Sequence, residues 1–134
     1  YKKIALGIVV TGGAKFWTLA INLINSFLLH SADTPGRIVI ATDEDDHFIL
    51  LSHIFKSTDI RLEKVSPSNF YTQLVPSFKG NYSTYWKFDL FNSLDDDEVL
   101  IYLDLDTLVV QKINFTHLMD MFNEGRYKLA AVPS

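Results

Sequence analysis

Apolar and polar positions fall along this chain in blocks whose period switches between that of a strand and that of a helix. Ile4 to Thr11 is an apolar run broken by Gly12-Gly13, which predicts a covered strand followed by a turn. Trp17, Ala20, Ile21, Ile24, Phe27 and Leu28 then recur at helical spacing up to His30. Asp33 to Gly36 reads as a loop, with Pro35-Gly36 as its turn. Arg37 to Thr42 predicts a second strand, and Asp43 the N-cap of a helix before Phe48, Leu51, Ile54 and Phe55. Ile60 to Val65 alternates as a third strand, ended by Pro67. Ser66 to Asn81 is loop-rich, punctuated by Pro76 and Gly80. Tyr82 to Leu94 predicts a short aromatic helix and Val99 to Asp104 a fourth strand, covered on both faces. Asn114 to Asn123 predicts another helix and Tyr127 to Val132 a last strand. Such alternation predicts an α/β fold, with a mostly parallel, Rossmann-like sheet and helices on both faces.

Composition narrows the class. The chain has 134 residues, enough for one domain with a sizeable core, and 48% of them are hydrophobic and 13% aromatic. A net charge of -4 offers no basic face for nucleic acid. It also means that a diphosphate ligand would need a cation. Cysteine is absent, which excludes disulfides and thiolate metal sites. The longest apolar candidate, Phe16 to Leu29, is too short to span a bilayer and carries Asn22 and Asn25. The chain begins at Tyr1 rather than methionine, so a targeting segment or membrane anchor is expected only outside it.

The chemistry concentrates where the fourth strand ends. Asp104 and Asp106 are two positions apart, so in extended backbone both side chains leave on one side and can share a cation. Open parallel sheets bind ligands beyond the carboxyl ends of their strands, and two hard oxygen ligands suit magnesium or manganese. The other acidic runs, Asp43-Glu44-Asp45 and Asp95-Asp96-Asp97, lie in polar runs, and Asp95 to Glu98 reads as a solvated turn. Thr11-Gly12-Gly13 reads either as a plain turn or as a place where backbone amides approach a nucleotide. Lys87 shares a helical face with Phe91 and Leu94, so it needs a partner or must snorkel.

Tyr85-Trp86-Lys87-Phe88-Asp89-Leu90-Phe91, followed by Val99 to Val110 around Asp104-Leu105-Asp106-Thr107-Leu108-Val109, resembles the centre of the family 8 glycosyltransferases, the group of glycogenin and the xylosyltransferases. The opening strand and helix, Arg37-Ile38-Val39-Ile40 and Leu129-Ala130-Ala131-Val132-Pro133 fall in the family's order as well. The resemblance implies a GT-A fold and a retaining transfer of a hexose or pentose from a UDP-sugar donor, bound through Mn2+ (or Mg2+), to a glycan or protein acceptor. Asp106 would then ligate the metal, and Asp104 the metal or the donor's ribose and sugar. Lys87 would contact the donor sugar or phosphates, while Val10, Thr11 and Leu105 would line the nucleotide side.

Some of the family's pattern has no counterpart. Its histidine ligand in a motif ending Lys-Pro-Trp is missing, and so is the arginine upstream of the lysine, where Lys79 is the nearest basic residue. The chain is therefore expected to be a truncated, donor-binding half that turns over little by itself. Two rival readings remain: a non-catalytic nucleotide-sugar-binding module, and a haloacid-dehalogenase-like phosphatase, which shares the Asp-x-Asp strand end but usually has it on the first strand. His30, His47, His53 and His117 match no ligand or catalytic spacing. Asn81-Tyr82-Ser83 and Asn114-Phe115-Thr116 are glycosylation acceptor patterns that favour a secretory lumen, Golgi or ER, over the cytoplasm.

Overall fold

The computed structural model describes residues 3–30, 36–68, 82–112 and 119–120. Its elements run β1 (Lys3–Val9), α1 (Ala14–His30), β2 (Arg37–Ala41), α2 (Asp45–Ile54), β3 (Arg61–Val65), a 3-10 turn (Tyr82–Tyr85), α3 (Lys87–Asn92) and β4 (Glu98–Tyr102). Several expected features lie outside the described residues: most of the Asp33 to Gly36 loop, the chain from 69 to 81 with Lys79, His117, the acceptor residues Asn81 and Asn114, and the strand from Tyr127 to Val132. Of the helix expected from Asn114 to Asn123, residues 119–120 are described and helical.

All four strands are parallel, in the order β3-β2-β1-β4. The fold is therefore the α/β, Rossmann-like arrangement that the alternation predicts. Side-chain alternation divides the sheet's two faces. Leu6, Ile8, Ile38 and Ile40 pack with Trp17, Leu23, Ile24 and Phe27 of α1 and Leu51 of α2. Val39 and Ala41 face the other way, onto Leu90 of α3. Helices thus cover both faces, and α1 presents an inward stripe at the spacing its sequence predicts.

β1 and β2 are the strands buried on both sides. β4, expected to be covered on both faces, is only partly covered, and it pairs only with β1 among the described residues. The helix expected from Tyr82 to Leu94 divides into the 3-10 turn and the six-residue α3. Tyr82, Thr84, Tyr85 and Trp86 are aromatic or β-branched and have modest helix propensity.

The acidic cluster before β4 also differs from expectation. Asp95, Asp96 and Asp97 are exposed, but the Glu98 side chain is only 4% exposed and pairs with Arg37, whose side chain is 7% exposed. Arg37 also pairs with Glu63 and donates to the Ser93 carbonyl at 2.6 Å. This network ties the amino-terminal ends of β2 and β4 and the α3–β4 connection together, at the edge opposite the candidate site.

Candidate functional site

The strand order sets where a ligand can enter. The chain steps from β1 to β2 on one side, while β4 joins β1 on the other, so the topology reverses between β1 and β4. Doubly wound sheets hold ligands in the crevice at that reversal, beyond the carboxyl ends of the strands. Val10, Thr11 and Gly12 leave β1 there, and Leu103 to Asp106 leave β4.

The acids project from a well-anchored segment. Leu103 donates to the Gly7 carbonyl at 3.3 Å, prolonging the β4–β1 ladder, and Thr107 donates to the Asp104 carbonyl at 3.0 Å to close a turn. Leu103 and Leu105 pack on the α1 core while Asp104 and Asp106 are exposed. Both carboxylates are thus exposed, but β4 ends at Tyr102 and residues 105 and 106 lie in a turn, not in the extended backbone that the two-residue spacing assumes. Beyond the turn Val109 is buried, and its amide donates to the Ser26 hydroxyl of α1 at 3.0 Å.

Lys87 reaches the same corner from α3. Its ammonium lies 5.7 Å from the centroid of the Tyr102 ring, and Tyr102 lies near enough to Asp104 to feel its charge. Burial first, and then the nearby charge of Asp104, hold the Tyr102 phenol above its ordinary value. Tyr102 was not among the residues singled out from the sequence. Its two-residue spacing from Asp104 was the available signal, since it places both on one side of the strand.

The β1 end behaves differently. Val10 is fully buried and its amide is bonded to the Ala41 carbonyl, so it can offer a ligand only its backbone. Leu105 packs on the core and is limited in the same way. The Thr11 hydroxyl donates to Asp43 at 3.1 Å. Asp43 does not cap α2 as expected: the cap position is Glu44, without a side-chain bond to its own helix.

The Glu44 carboxylate turns instead to the glycine turn. It accepts the Gly12 amide at 2.6 Å, the Gly13 amide at 3.0 Å and the Trp17 indole N–H at 3.2 Å. Gly12 and Gly13 have φ of 107° and 97°, in the region that glycine favours, and this aims both amides at one carboxylate. Burial pushes the Glu44 carboxyl up, but the Gly13 amide, the Trp17 indole, the Gly12 amide and nearby His47 together hold it below its ordinary value. Amides open to a nucleotide phosphate were one reading of this turn; here they serve a carboxylate from the β2–α2 connection. His47 stacks on Trp17 with centroids 5.8 Å apart, which gives it a packing role.

The donor set fits a hard divalent cation. Asp104 and Asp106 supply two exposed carboxylates, and no group of three or more metal-ligating side chains occurs among the described residues. Magnesium and manganese commonly take one or two protein carboxylates and complete their shells with water and phosphate oxygens. Among the described residues, no helix is long and apolar enough to cross a membrane.

Compared with known proteins, the chain matches no family model and no curated protein.

Proposed function

We propose that this chain carries the nucleotide-sugar site of a retaining glycosyltransferase, one that moves a hexose or pentose from a UDP-sugar to a hydroxyl of a glycan or protein acceptor. The observation that carries the reading is the corner at the topological reversal, where Asp104 and Asp106 are both exposed and the Lys87 ammonium lies over the Tyr102 ring two residues before Asp104. The sequence resemblance to family 8 glycosyltransferases supports it independently of the geometry.

In this reading Asp106 and Asp104 hold Mn2+ (or Mg2+) against the donor's diphosphate. The ion supplies charge stabilisation for the leaving diphosphate. Lys87 adds a second positive charge at the same leaving group, where stabilisation matters most as the sugar–phosphate bond breaks. Val10 and Leu105 contribute backbone, and Thr11 borders the nucleoside side. Because Glu44 already occupies the glycine turn, the diphosphate's negative charge is met by Lys87 and the cation. The acceptor patterns at Asn81 and Asn114 support a Golgi or ER lumen.

The test is calorimetric titration of UDP into the chain with manganese and then with EDTA, beside Asp106→Asn. Manganese-dependent binding that the substitution abolishes is the expected result. A folded chain that binds no UDP under either condition overturns the reading, as does phosphate release from simple monoesters.

A further inference from the structure

Asp43 and Glu44 are neighbours in sequence at the carboxyl end of β2, yet their side chains meet different partners. Thr42, just before them, is fully buried; its amide is bonded to the Val65 carbonyl and its hydroxyl accepts the Glu44 amide at 3.0 Å. Glu44 turns to the Gly12-Gly13 turn, where two amides and the Trp17 indole hold its carboxylate. Asp43 lies between these two fixed residues and is exposed. It forms no ion pair among the described residues, and its Oδ1 accepts the Thr11 hydroxyl from the end of β1 at 3.1 Å. The anchored backbone and the Thr11 contact together hold an unneutralised carboxylate at the rim of the sheet.

We propose that Asp43 is a ribose-binding residue of the donor site, its carboxylate accepting the 2′- and 3′-hydroxyls of the nucleotide while the diphosphate lies toward Asp104 and Asp106. The role rests on the nucleotide-sugar reading above. β2, β1 and β4 are adjacent in the sheet, so two strand spacings, roughly 10 Å, separate the end of β2 from the end of β4. That span fits a nucleoside diphosphate laid across the end of β1, its ribose at one side and its phosphates at the other. Charge sets the direction. A carboxylate with no cation beside it repels a phosphate but accepts O–H donors strongly. It has about four lone-pair positions, and Thr11 occupies one of them. Lys87 lies over the last residue of β4, at the opposite side, where it draws the diphosphate. The neutral diol is thus the part of the nucleotide that Asp43 can accept.

The test measures manganese-dependent binding of UDP and of 2′-deoxy-UDP to the unsubstituted chain, to Asp43→Ala and to Asp43→Asn. The unsubstituted chain is expected to prefer UDP by about tenfold, the value of one hydrogen bond to a charged group. Asp43→Ala should bind UDP at least tenfold more weakly and should bind the two nucleotides alike. Asp43→Asn keeps the shape and one acceptor oxygen, so it should narrow the preference; being nearly isosteric, it decides the matter if Asp43→Ala does not fold. A merely structural role would weaken both nucleotides by the same factor, and that result overturns the proposal. Equal binding of the two nucleotides by the unsubstituted chain overturns it as well. So does a preference for UDP that survives both substitutions, since another group would then hold the ribose. Failure of the unsubstituted chain to bind manganese and UDP overturns the nucleotide-sugar reading, and the role of Asp43 with it.

Discussion

Arg37 at the start of β2 reaches past β1 to Glu98 at the start of β4, with Nη2–Oε1 at 2.6 Å and Nε–Oε2 at 2.9 Å. Both side chains are buried, so substituting Arg37 leaves the Glu98 charge without its ion-pair partner. Arg37→Met is expected to cost about 3–5 kcal/mol, read from urea unfolding. A loss below about 1 kcal/mol would mean the pair behaves like an exposed one.

The same pair gives stability a pH dependence. Hydrogen bonding from Arg37 holds the Glu98 carboxyl below its ordinary value near 4.5, against burial, and the Asp95 amide and the charges of Arg37 and Arg61 act in the same direction as the hydrogen bond. The unfolded chain then takes up the proton more readily than the folded one. The contribution is complete above that ordinary value and is lost as pH falls through the lower, folded one. Glu98→Gln should be less stable at neutral pH and show a flatter decline in acid.

Glu44 makes a similar contribution at the other edge of the sheet. Glu44→Ala leaves the Gly12 and Gly13 amides and the Trp17 indole without their acceptor, at an expected cost of about 1–3 kcal/mol. Trp17 fluorescence during unfolding reports it. Unchanged stability would show that water replaces the carboxylate without penalty. Because the Glu44 carboxyl is also held low, this stability too is present above its ordinary value and fades below it.

The two glycines of that turn should differ in their tolerance. A Cβ at Gly12 would lie 2.7 Å from the Phe16 ring, whereas one at Gly13 meets nothing within 4 Å. Both substitutions carry the backbone penalty of positive φ, on the order of 1–3 kcal/mol. Gly12→Ala should therefore unfold at lower temperature than Gly13→Ala, and the reverse order would mean that Phe16 yields freely.

Lys87→Met should weaken manganese-dependent UDP binding by about 10–100-fold, the value of one charge-assisted contact. The residual binding should depend less on salt, since one positive charge no longer attracts the diphosphate. Equal affinity in the variant would remove Lys87 from the diphosphate side.

Local pattern was enough for much of this architecture. β1, α1 and β2 follow from apolar runs and helical spacing, whereas the turn that carries Asp106 past the end of β4 does not. Two other misreadings share one cause, contact between residues distant in sequence. Asp43 has the chemistry of a helix cap, yet it accepts from Thr11, 32 residues earlier. Glu98 sits in a run of acids and looks solvated until Arg37, 61 residues earlier, draws it under cover. β4 reads as covered on both faces from its apolar run, yet four of its five residues are only partly buried.

The clasp between Ser26 and Val109 has a consequence for any guest at the acids. Leu103 is tied to β1 and Val109 to the middle of α1, so the short span bearing Asp104 and Asp106 is closed at both ends. Its disorder has been given up during folding, and an arriving ion need not bear that ordering cost again. Removing the Ser26 hydroxyl would return part of that freedom, so that a substitution on the flank of a helix would register as weaker binding at the tips of the strands.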